Sequence, residues 1–214
     1  MKLISVNIGM PRTITLDGRP VRTGIFKEPR AGRIKIHALG IEGDGQADPK
    51  NHGGIYMAVY SYPFEHYEYW SRELGRNDFG LGQFGENLTI SGLTEDEVHI
   101  GDMFRMGTAL LEVTQPRVPC YKLAHRMNAP DFPKRFTASG RTGFYQRVLV
   151  EGEIGAGDAI ERVKTDARGV TVREMMRLMH IDRKDFPMIE KAVEIPALTP
   201  SWRDELKERL RARA

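Results

Sequence analysis

The sequence predicts a mainly β fold with a few helices in residues 1–164, followed by a small three-helix segment in residues 165–214. Two observations predict this division. Short runs of β-branched and aromatic residues alternate with Gly, Pro and Asp in the first part, which is typical of strands joined by turns. After Lys164 that pattern ends, and helix-capping residues with helical periodicity replace it. A chain of 214 residues can bury a core without disulfides or metal ions.

Eight short segments carry the strand pattern. They are residues 3–8, 33–39, 56–62, 86–90, 103–107, 109–114, 143–150 and 159–163. Met106–Thr108 predicts a tight turn between two of them. The dipeptide Gly-Asp recurs at Gly43-Asp44, Gly101-Asp102 and Gly157-Asp158. We expect each pair to be a turn in which the aspartate side chain bonds nearby backbone.

Three helices are expected within the β-rich part. The first spans Pro63–Leu74, because proline suits a first helical turn and Gly75 suits a helix end. The second spans Cys120–Met127, where Leu123 and Met127 share one face. The third spans residues 131–138.

Three more helices are expected near the C-terminus. Thr171 and Glu174 have capping-box spacing, residues 182–191 form the second helix, and Thr199 with Pro200 opens the third. These helices are too few to predict an independent core. We therefore expect them to dock on the β-rich part or on a second subunit, so a homodimer and a lid both stay open.

The composition excludes several classes of protein. With 40% hydrophobic and 29% charged residues, the chain is typical of a soluble globular protein. It has no apolar run of membrane-spanning length and no apolar core of signal-peptide length near its start, so we expect no membrane and a cytoplasmic location. A net charge of +3 and basic residues without aromatic interleaving argue against a nucleic-acid polymer as partner. Phosphate-binding glycine motifs are absent.

The basic residues concentrate in one segment. Residues 117–147 contain seven basic residues and one acid, together with Cys120, the single cysteine of the chain. Positive charge around a lone thiol favours an anionic ligand and the thiolate form. A solvated basic surface is the alternative, and charge alone favours that alternative.

Residues 114–122 are the first candidate site. A strand runs directly into Pro116 and Pro119, which stiffen the backbone and are expected to stop the strand. A helix that begins near Cys120 would place the thiol at the positive end of the helix dipole, which suits a ligand or a nucleophile. A small buried hydrophobic cysteine is the alternative, and the flanking basic residues favour the site.

Two further loops are candidates. Residues 43–54 form a polar, glycine-rich loop that includes His52, and Gly53-Gly54 permits close backbone approach to a ligand. An ordinary flexible loop is the alternative. Asn87 precedes an apolar strand and could bind a heterocycle through its amide, although a turn residue bonding its own backbone is the commoner case.

These stretches together resemble a known family. In this order, GDGQADPKNHGGIYMAVYSY, FGENLT and VTQPRVPCYKL resemble the signatures of the MOSC domain, named after the C-terminal domain of molybdenum cofactor sulfurases. The three-helix extension is similar to the YiiM-type subfamily, and the resemblance covers essentially the whole chain. It implies a closed β-barrel that binds the molybdenum cofactor, a molybdopterin. It also implies that Cys120 is the protein ligand to molybdenum, and thiolate is a soft ligand suited to such a metal.

The resemblance also implies roles for other residues. Arg117 and Lys122 become cofactor-pocket groups, since Arg and Lys bind the phosphate of the pterin well. Backbone amides at Gly53 and Gly54 share that task. His52 becomes an acid/base or substrate contact, and Asn87 a further pocket contact.

The implied reaction is the reduction of N-hydroxylated compounds, including purine bases such as 6-hydroxylaminopurine. Two electrons and two protons convert N–OH to N–H and water, and His52 titrates in a range that suits proton donation. The chain has no flavin motif and too few cysteines for an iron–sulfur cluster. We therefore expect a separate, flavin-type reductase to supply the electrons.

Two other functions stay open. Cys120 could be a nucleophile with His52 as its base, in a transferase or a hydrolase. Alternatively, the protein could carry the cofactor, or a sulfur destined for it as a persulfide on Cys120, without turnover.

Overall fold

The computed structural model describes residues 1–48 and 53–213. In the described part there are thirteen strands: β1 (Lys2–Ile8), β2 (Arg12–Leu16), β3 (Arg19–Thr23), β4 (Glu28–Pro29), β5 (Ile34–His37), β6 (Gly40–Ile41), β7 (Val59–Pro63), β8 (Leu88–Ser91), β9 (Met103–Met106), β10 (Ala109–Pro116), β11 (Phe144–Val150), β12 (Gly152–Ile154) and β13 (Ile160–Lys164). The same residues contain six α-helices: α1 (Glu65–Leu74), α2 (Tyr121–Met127), α3 (Phe132–Ser139), α4 (Val172–His180), α5 (Phe186–Val193) and α6 (Pro200–Arg211). The sheet-rich fold with a few helices is therefore confirmed, and each predicted strand segment contains a strand.

Eight strands form one sheet, in the order β13-β9-β10-β11-β7-β8-β1-β4. β7 and β8 pair in parallel, and the other neighbours are antiparallel. The expected closed barrel is not confirmed, because this order has two ends. Backbone bonds of Leu3 with Gly157 and Asp158, of 2.8 and 2.9 Å, nevertheless place the turn before β13 beside β1. Two small sheets, β12-β5-β6 and β2-β3, lie outside this order.

Two prolines are the last residues of strands. Pro116 ends β10 in register with Phe144, and Pro63 ends β7 in register with Ile90. The pairing survives because the next residue supplies the N–H that proline lacks: Arg117 N donates to Gly143 O, at 3.2 Å. β10 ends at Pro116, as predicted, whereas the placement of Pro63 in the first turn of α1 is wrong, because α1 begins at Glu65.

The C-terminal helices pack against the sheet. Val172, Met175 and Leu178 of α4 are buried in the same hydrophobic cluster as Leu111 and Val113 of β10. The Thr199 hydroxyl, at the start of α6, hydrogen-bonds the Gln115 side chain at the end of β10. Docking on the β-rich part is therefore confirmed. No helix of the described residues is both long enough and apolar enough to cross a membrane.

A second cluster is aromatic and lies under the helices α1, α2 and α3. Its buried rings include Tyr62, Trp70, Phe84, Phe132 and Phe136. The Trp70 indole N–H donates to the Tyr62 hydroxyl at 2.8 Å, so the polar atoms of these rings are satisfied within the cluster. This rigid layer supports the segment that carries Cys120, because Leu123 and Met127 of α2 belong to it.

The capping box predicted at the start of α4 is present. Thr171 Oγ1 accepts from Glu174 N at 3.1 Å, and Thr171 N donates to the Glu174 carboxylate at 2.8 Å. Replacing Thr171 by alanine is expected to lower the free energy of unfolding by about 1 kcal/mol, as measured by urea denaturation. Thr13→Ala, at an exposed strand position, serves as the control. An equal loss in the two variants would contradict the capping role.

Candidate functional site

One cavity of about 650 Å³, partly open to solvent, collects most of the candidate side chains. It lies between the segment after β3, the loop before residue 49, the ends of β7 and β10, and the start of α2. Its lining comprises Thr23, Gly24, Ile25, Lys27, Asp44, Gly45, Gln46, Ala47, Asp48, Met57, Tyr60, Gly85, Asn87, Arg117, Cys120, Lys122 and Tyr145. Four residues predicted from the sequence, Cys120, Arg117, Lys122 and Asn87, therefore meet at one place.

The remaining predicted residues belong to the loop that follows residue 48. His52 lies outside the described residues. Gly53 and Gly54 are described but are not part of the cavity lining, and Gly54 instead borders a neighbouring cavity with Gly45 and Gln46. Gly54 has φ +84°, a backbone conformation that favours glycine.

Cys120 sits between a strand and a helix, as predicted. β10 ends at Pro116, and Cys120 is the half-buried residue that immediately precedes α2. Its carbonyl accepts from Leu123 N at 2.9 Å, which begins the helix. Because Leu123 anchors α2 in the aromatic cluster, the thiol is held at a defined position on the cavity wall.

Arg117 is a buried cation beside Cys120. Arg117 is 6% exposed. The Cζ atom of its guanidinium lies 5.1 Å from the centroid of the Tyr60 ring and 5.5 Å from that of Phe136. Its Nη1 atom is buried and has no hydrogen-bond partner among the described residues. A buried N–H without an acceptor costs about 1–3 kcal/mol, and an acceptor on a bound molecule that reached Nη1 would recover that cost.

Two neutral phenols, Tyr60 and Tyr145, form part of the cavity wall. Burial raises the pKa of Tyr60 and of Tyr145, although Arg117 nearby acts in the opposite direction. The Tyr60 hydroxyl donates to Thr142 O at 2.8 Å. Such a wall lowers the local dielectric, which strengthens the attraction between Arg117 and an anion.

Sequence reasoning missed a buried ion pair in this cavity. Lys27 Nζ lies 2.5 and 2.6 Å from the two carboxylate oxygens of Asp44. Gly43-Asp44 does form a turn, with Asp44 N donating to Ile41 O at 3.0 Å. The Asp44 carboxylate, however, accepts from Gly9 N and Lys27, which are distant in sequence. The expected local role of Asp44 is therefore wrong.

The other two Gly-Asp pairs behave as expected. Asp102 Oδ2 accepts from His99 N at 3.0 Å, and Asp158 Oδ2 accepts from Gly155 N at 2.9 Å. Both contacts join residues three apart and close a turn. Asp44 differs because its turn lies at the cavity, beside Lys27.

Asn87 lines the cavity, but its amide is used inside the protein. Its Oδ1 accepts from Tyr60 N at 3.2 Å, and its Nδ2 donates to Asp44 Oδ2 at 2.9 Å. Neither contact is a bond to its own local backbone, which the turn interpretation required. Asn87 therefore positions Asp44, and its contact with a ligand stays a prediction.

The neighbour of Asn87, Glu86, is another residue that sequence reasoning missed. Its fully buried carboxylate accepts from Gly82 N and Phe84 N, both at 3.0 Å, from the Thr89 hydroxyl at 2.9 Å and from the Tyr67 hydroxyl. Burial raises its pKa, although these hydrogen bonds act in the opposite direction. Glu86 thereby fixes the turn that leads into β8 and presents Asn87.

Glu86→Gln is expected to lower the free energy of unfolding by about 2–3 kcal/mol, because an amide cannot accept all four hydrogen bonds. The loss should be larger at pH 4.5 than at pH 7. Since the folded-state pKa of Glu86 is raised, its contribution is full below about pH 4.5 and declines as the pH rises through the folded-state pKa. Urea denaturation at the two pH values tests this. Glu208→Gln, on the exposed side of α6, is the control, and equal losses at both pH values would refute the assignment.

The basic segment does not form a single patch. Of its seven basic residues, only Arg117 and Lys122 line the cavity. Arg135 and Arg147 pair with Glu73 and Glu112, at 3.3 and 2.5 Å. The positive charge directed at the cavity therefore comes from Arg117, Lys122 and the ion-paired Lys27.

Comparisons with known proteins agree with this arrangement. The pattern of the MOSC domain matches residues 48–161, and that of the YiiM-like, 3-alpha helix domain matches residues 170–213. Protein YiiM of Escherichia coli (strain K12) is 36% identical over 195 residues, which cover 90% of this chain and 86% of that protein. A protein of Gibberella moniliformis named "Reductase" is 32% identical over 213 residues, covering 98% of this chain and 37% of that protein. The crystal structure of YiiM from Geobacillus stearothermophilus superposes with a TM-score of 0.83 at 36% identity and covers 98% of both chains.

Proposed function

Because this chain belongs to the MOSC domain family and carries the YiiM-like three-helix domain, we propose that it reduces N-hydroxylated compounds with the molybdenum cofactor. One observation carries the proposal. Cys120 and Arg117, a buried cation whose Nη1 has no hydrogen-bond partner among the described residues, line the same cavity, so a soft metal ligand and an anion-binding side chain lie together. The name of the Gibberella relative supports a reductase.

The residues present fit a molybdopterin. The Cys120 thiolate would hold the metal, and Arg117 with Lys122 would bind acceptor oxygens of the pterin or its phosphate. When bound, the cofactor supplies a centre that exchanges an oxygen atom and an electron pair. Arg117 suits this task because its guanidinium is already desolvated and held between aromatic rings, so little ordering is needed on binding.

The chain's own groups would bind the substrate and supply protons. Tyr60 and Tyr145, whose phenols stay neutral because burial raises their pKa, line the same cavity and would flank a bound substrate with uncharged side chains. His52, which lies outside the described residues, remains our proposed acid/base. Electrons would come from a separate flavoprotein reductase, and a small N-hydroxylated base, such as 6-hydroxylaminopurine, is the substrate we would test first.

The experiment uses protein from a host that makes molybdopterin. Reduced viologen replaces the protein electron donor, and conversion of 6-hydroxylaminopurine to adenine is measured by chromatography. The proposal predicts turnover that depends on bound molybdenum. Bound cofactor without turnover would instead favour a carrier, and activity in metal-free protein that thiol alkylation abolishes would favour a cysteine transferase or hydrolase.

A further inference from the structure

The Lys27–Asp44 pair in the cavity wall is held by several hydrogen bonds. Lys27 is 7% exposed, and each oxygen of the Asp44 carboxylate lies within 2.6 Å of its ammonium nitrogen. The carboxylate also accepts from Gly9 N at 2.9 Å and from Asn87 Nδ2 at 2.9 Å. Gly9 and Asn87, from two separate parts of the chain, therefore fix Asp44, and Asp44 fixes the position of Lys27.

A buried ion pair of this kind contributes little net stability, because desolvating two charges costs about as much as their attraction returns. Yet the pair lies on the wall of the cavity that holds Cys120 and Arg117, where a ligand would meet it. Its placement indicates a chemical task.

The ammonium group retains one donor for such a task. Lysine has three N–H groups, and the single carboxylate of Asp44 accepts at most two of them. No hydrogen bond from the third is found to any residue in 1–48 or 53–213. Because Lys27 lines the cavity, this N–H is available to a bound molecule.

Burial also makes Lys27 a better acid than an exposed lysine. Desolvation lowers its pKa, and the nearby carboxylates of Asp44 and Glu86 only partly oppose that effect. Arg117 and Lys122 are the other cations of the cavity lining, and Cys120 and Asp48 complete its charged or ionisable groups together with the two tyrosines. An acid whose pKa lies closer to the working pH transfers its proton more readily.

We propose that Lys27 is the general acid that protonates the oxygen leaving the N–OH group of the substrate. This inference rests on the proposed function. In the overall step, R–NH–OH takes two electrons and two protons and gives R–NH₂ and water. The N–O bond breaks, a new O–H bond forms with the Lys27 proton, and the nitrogen takes the second proton from solvent. A flavoprotein reductase supplies the electron pair, and solvent at the open side of the cavity reprotonates Lys27.

The test compares Lys27→Arg and Lys27→Ala with wild-type protein, in the viologen assay and by metal analysis. Lys27→Arg keeps the positive charge beside Asp44, but its guanidinium does not release a proton at neutral pH. We expect both variants to keep their molybdenum and pterin while kcat falls by about 10²–10⁴-fold. Small primary amines should partly restore Lys27→Ala. Lys35→Ala, on the exposed side of β5, is the matched control and should be unaffected.

A second readout does not depend on turnover. In protein labelled with ¹³C-lysine, the Lys27 Cε signal, assigned by its loss in Lys27→Arg, should titrate at lower pH than those of the exposed lysines. If Lys27→Ala does not fold, Lys27→Arg and this titration still decide the matter.

Several results would overturn the proposal. One is wild-type kcat in Lys27→Arg, which would show that only charge is needed. Another is a loss of activity in the Lys27 variants that equals their loss of bound molybdenum, which would mean that Lys27 helps to hold the cofactor. A wild-type protein without any turnover would defeat the proposed function itself, and the inference with it. In the first two results the wild-type protein still reduces the substrate. Failure of the Lys27 proposal can therefore be told apart from failure of the proposed function.

Discussion

Replacing Cys120 by serine is expected to lower the rate of N–OH reduction by more than about a hundredfold. Loss of a hydrogen-bonding partner of a metal ligand already costs 10–100-fold in comparable sites, so loss of the ligand itself should exceed that range. The reason is the softness of sulfur, because an alcohol oxygen of similar size cannot replace a thiolate at this metal. The measurement is kcat with reduced viologen and 6-hydroxylaminopurine.

The fold should survive this substitution. Cys120 is half-buried and follows a strand that pairs on both sides, so we expect the free energy of unfolding to change by less than about 1 kcal/mol. The double variant Val118→Cys/Cys120→Ala is a sharper control, since it keeps one thiol two residues away at a position that is 37% exposed. Activity retained in Cys120→Ser, or restored in the double variant, would contradict the ligand role.

Arg117→Met is expected to have opposite effects on binding and on stability. The variant should hold at least about tenfold less pterin, because the buried guanidinium that faces the cavity is lost. Without cofactor, its free energy of unfolding should rise by about 1 kcal/mol, because an apolar side chain replaces a buried charge with an unpartnered N–H. Pterin fluorescence after release and urea denaturation of protein from a molybdopterin-deficient host measure the two effects.

Arg135→Met provides the comparison. Arg135 belongs to the same basic segment, but it lies on α3 and contacts Glu73 near the surface. We expect its pterin content to be unchanged and its stability to change by less than about 0.5 kcal/mol. Equal pterin contents in the two variants would show that Arg117 does not bind the cofactor.

The part of the site that the sequence predicts is contiguous along the chain. Arg117, Cys120 and Lys122 fall within six residues, and a strand followed by a helix is enough to bring them to one wall. Lys27 and Asp44 could not be found in that way. Their pairing depends on how the segment after β3 packs against a loop seventeen positions later, and no local pattern encodes this contact.

Close backbone packing creates that contact. A side chain at Gly24 would place its Cβ 2.6 Å from Gly45 O, so only glycine lets the two segments approach. The sequence shows Gly24, but it does not show that this residue packs against the backbone of Gly45. Lys27 consequently looks like an ordinary surface lysine until the fold is known.

The strand pattern predicts the strands of the central sheet well but fails for the small hairpin outside it. Buried strands such as β8 and β10 are strongly apolar and were predicted. The β2–β3 hairpin was missed, although Asp17-Gly18, with φ of +47° and +74°, is a two-residue turn of a kind common in hairpins. The Asp-Gly signal was present, but the strands that flank it are rich in exposed arginines and threonines and contain few apolar residues.

Helix α5 begins at Phe186 instead of residue 182, because the Asp185 side chain caps Met188 N.

The central claim is that Cys120 holds a molybdenum cofactor in this cavity, and metal analysis tests it most directly. Wild-type protein and Cys120→Ala should be purified side by side from a molybdopterin-competent host and analysed for molybdenum and pterin per chain. We predict close to one molybdenum per wild-type chain and a loss of at least about tenfold in the variant. Equal molybdenum in both proteins, or none in either, would contradict the account.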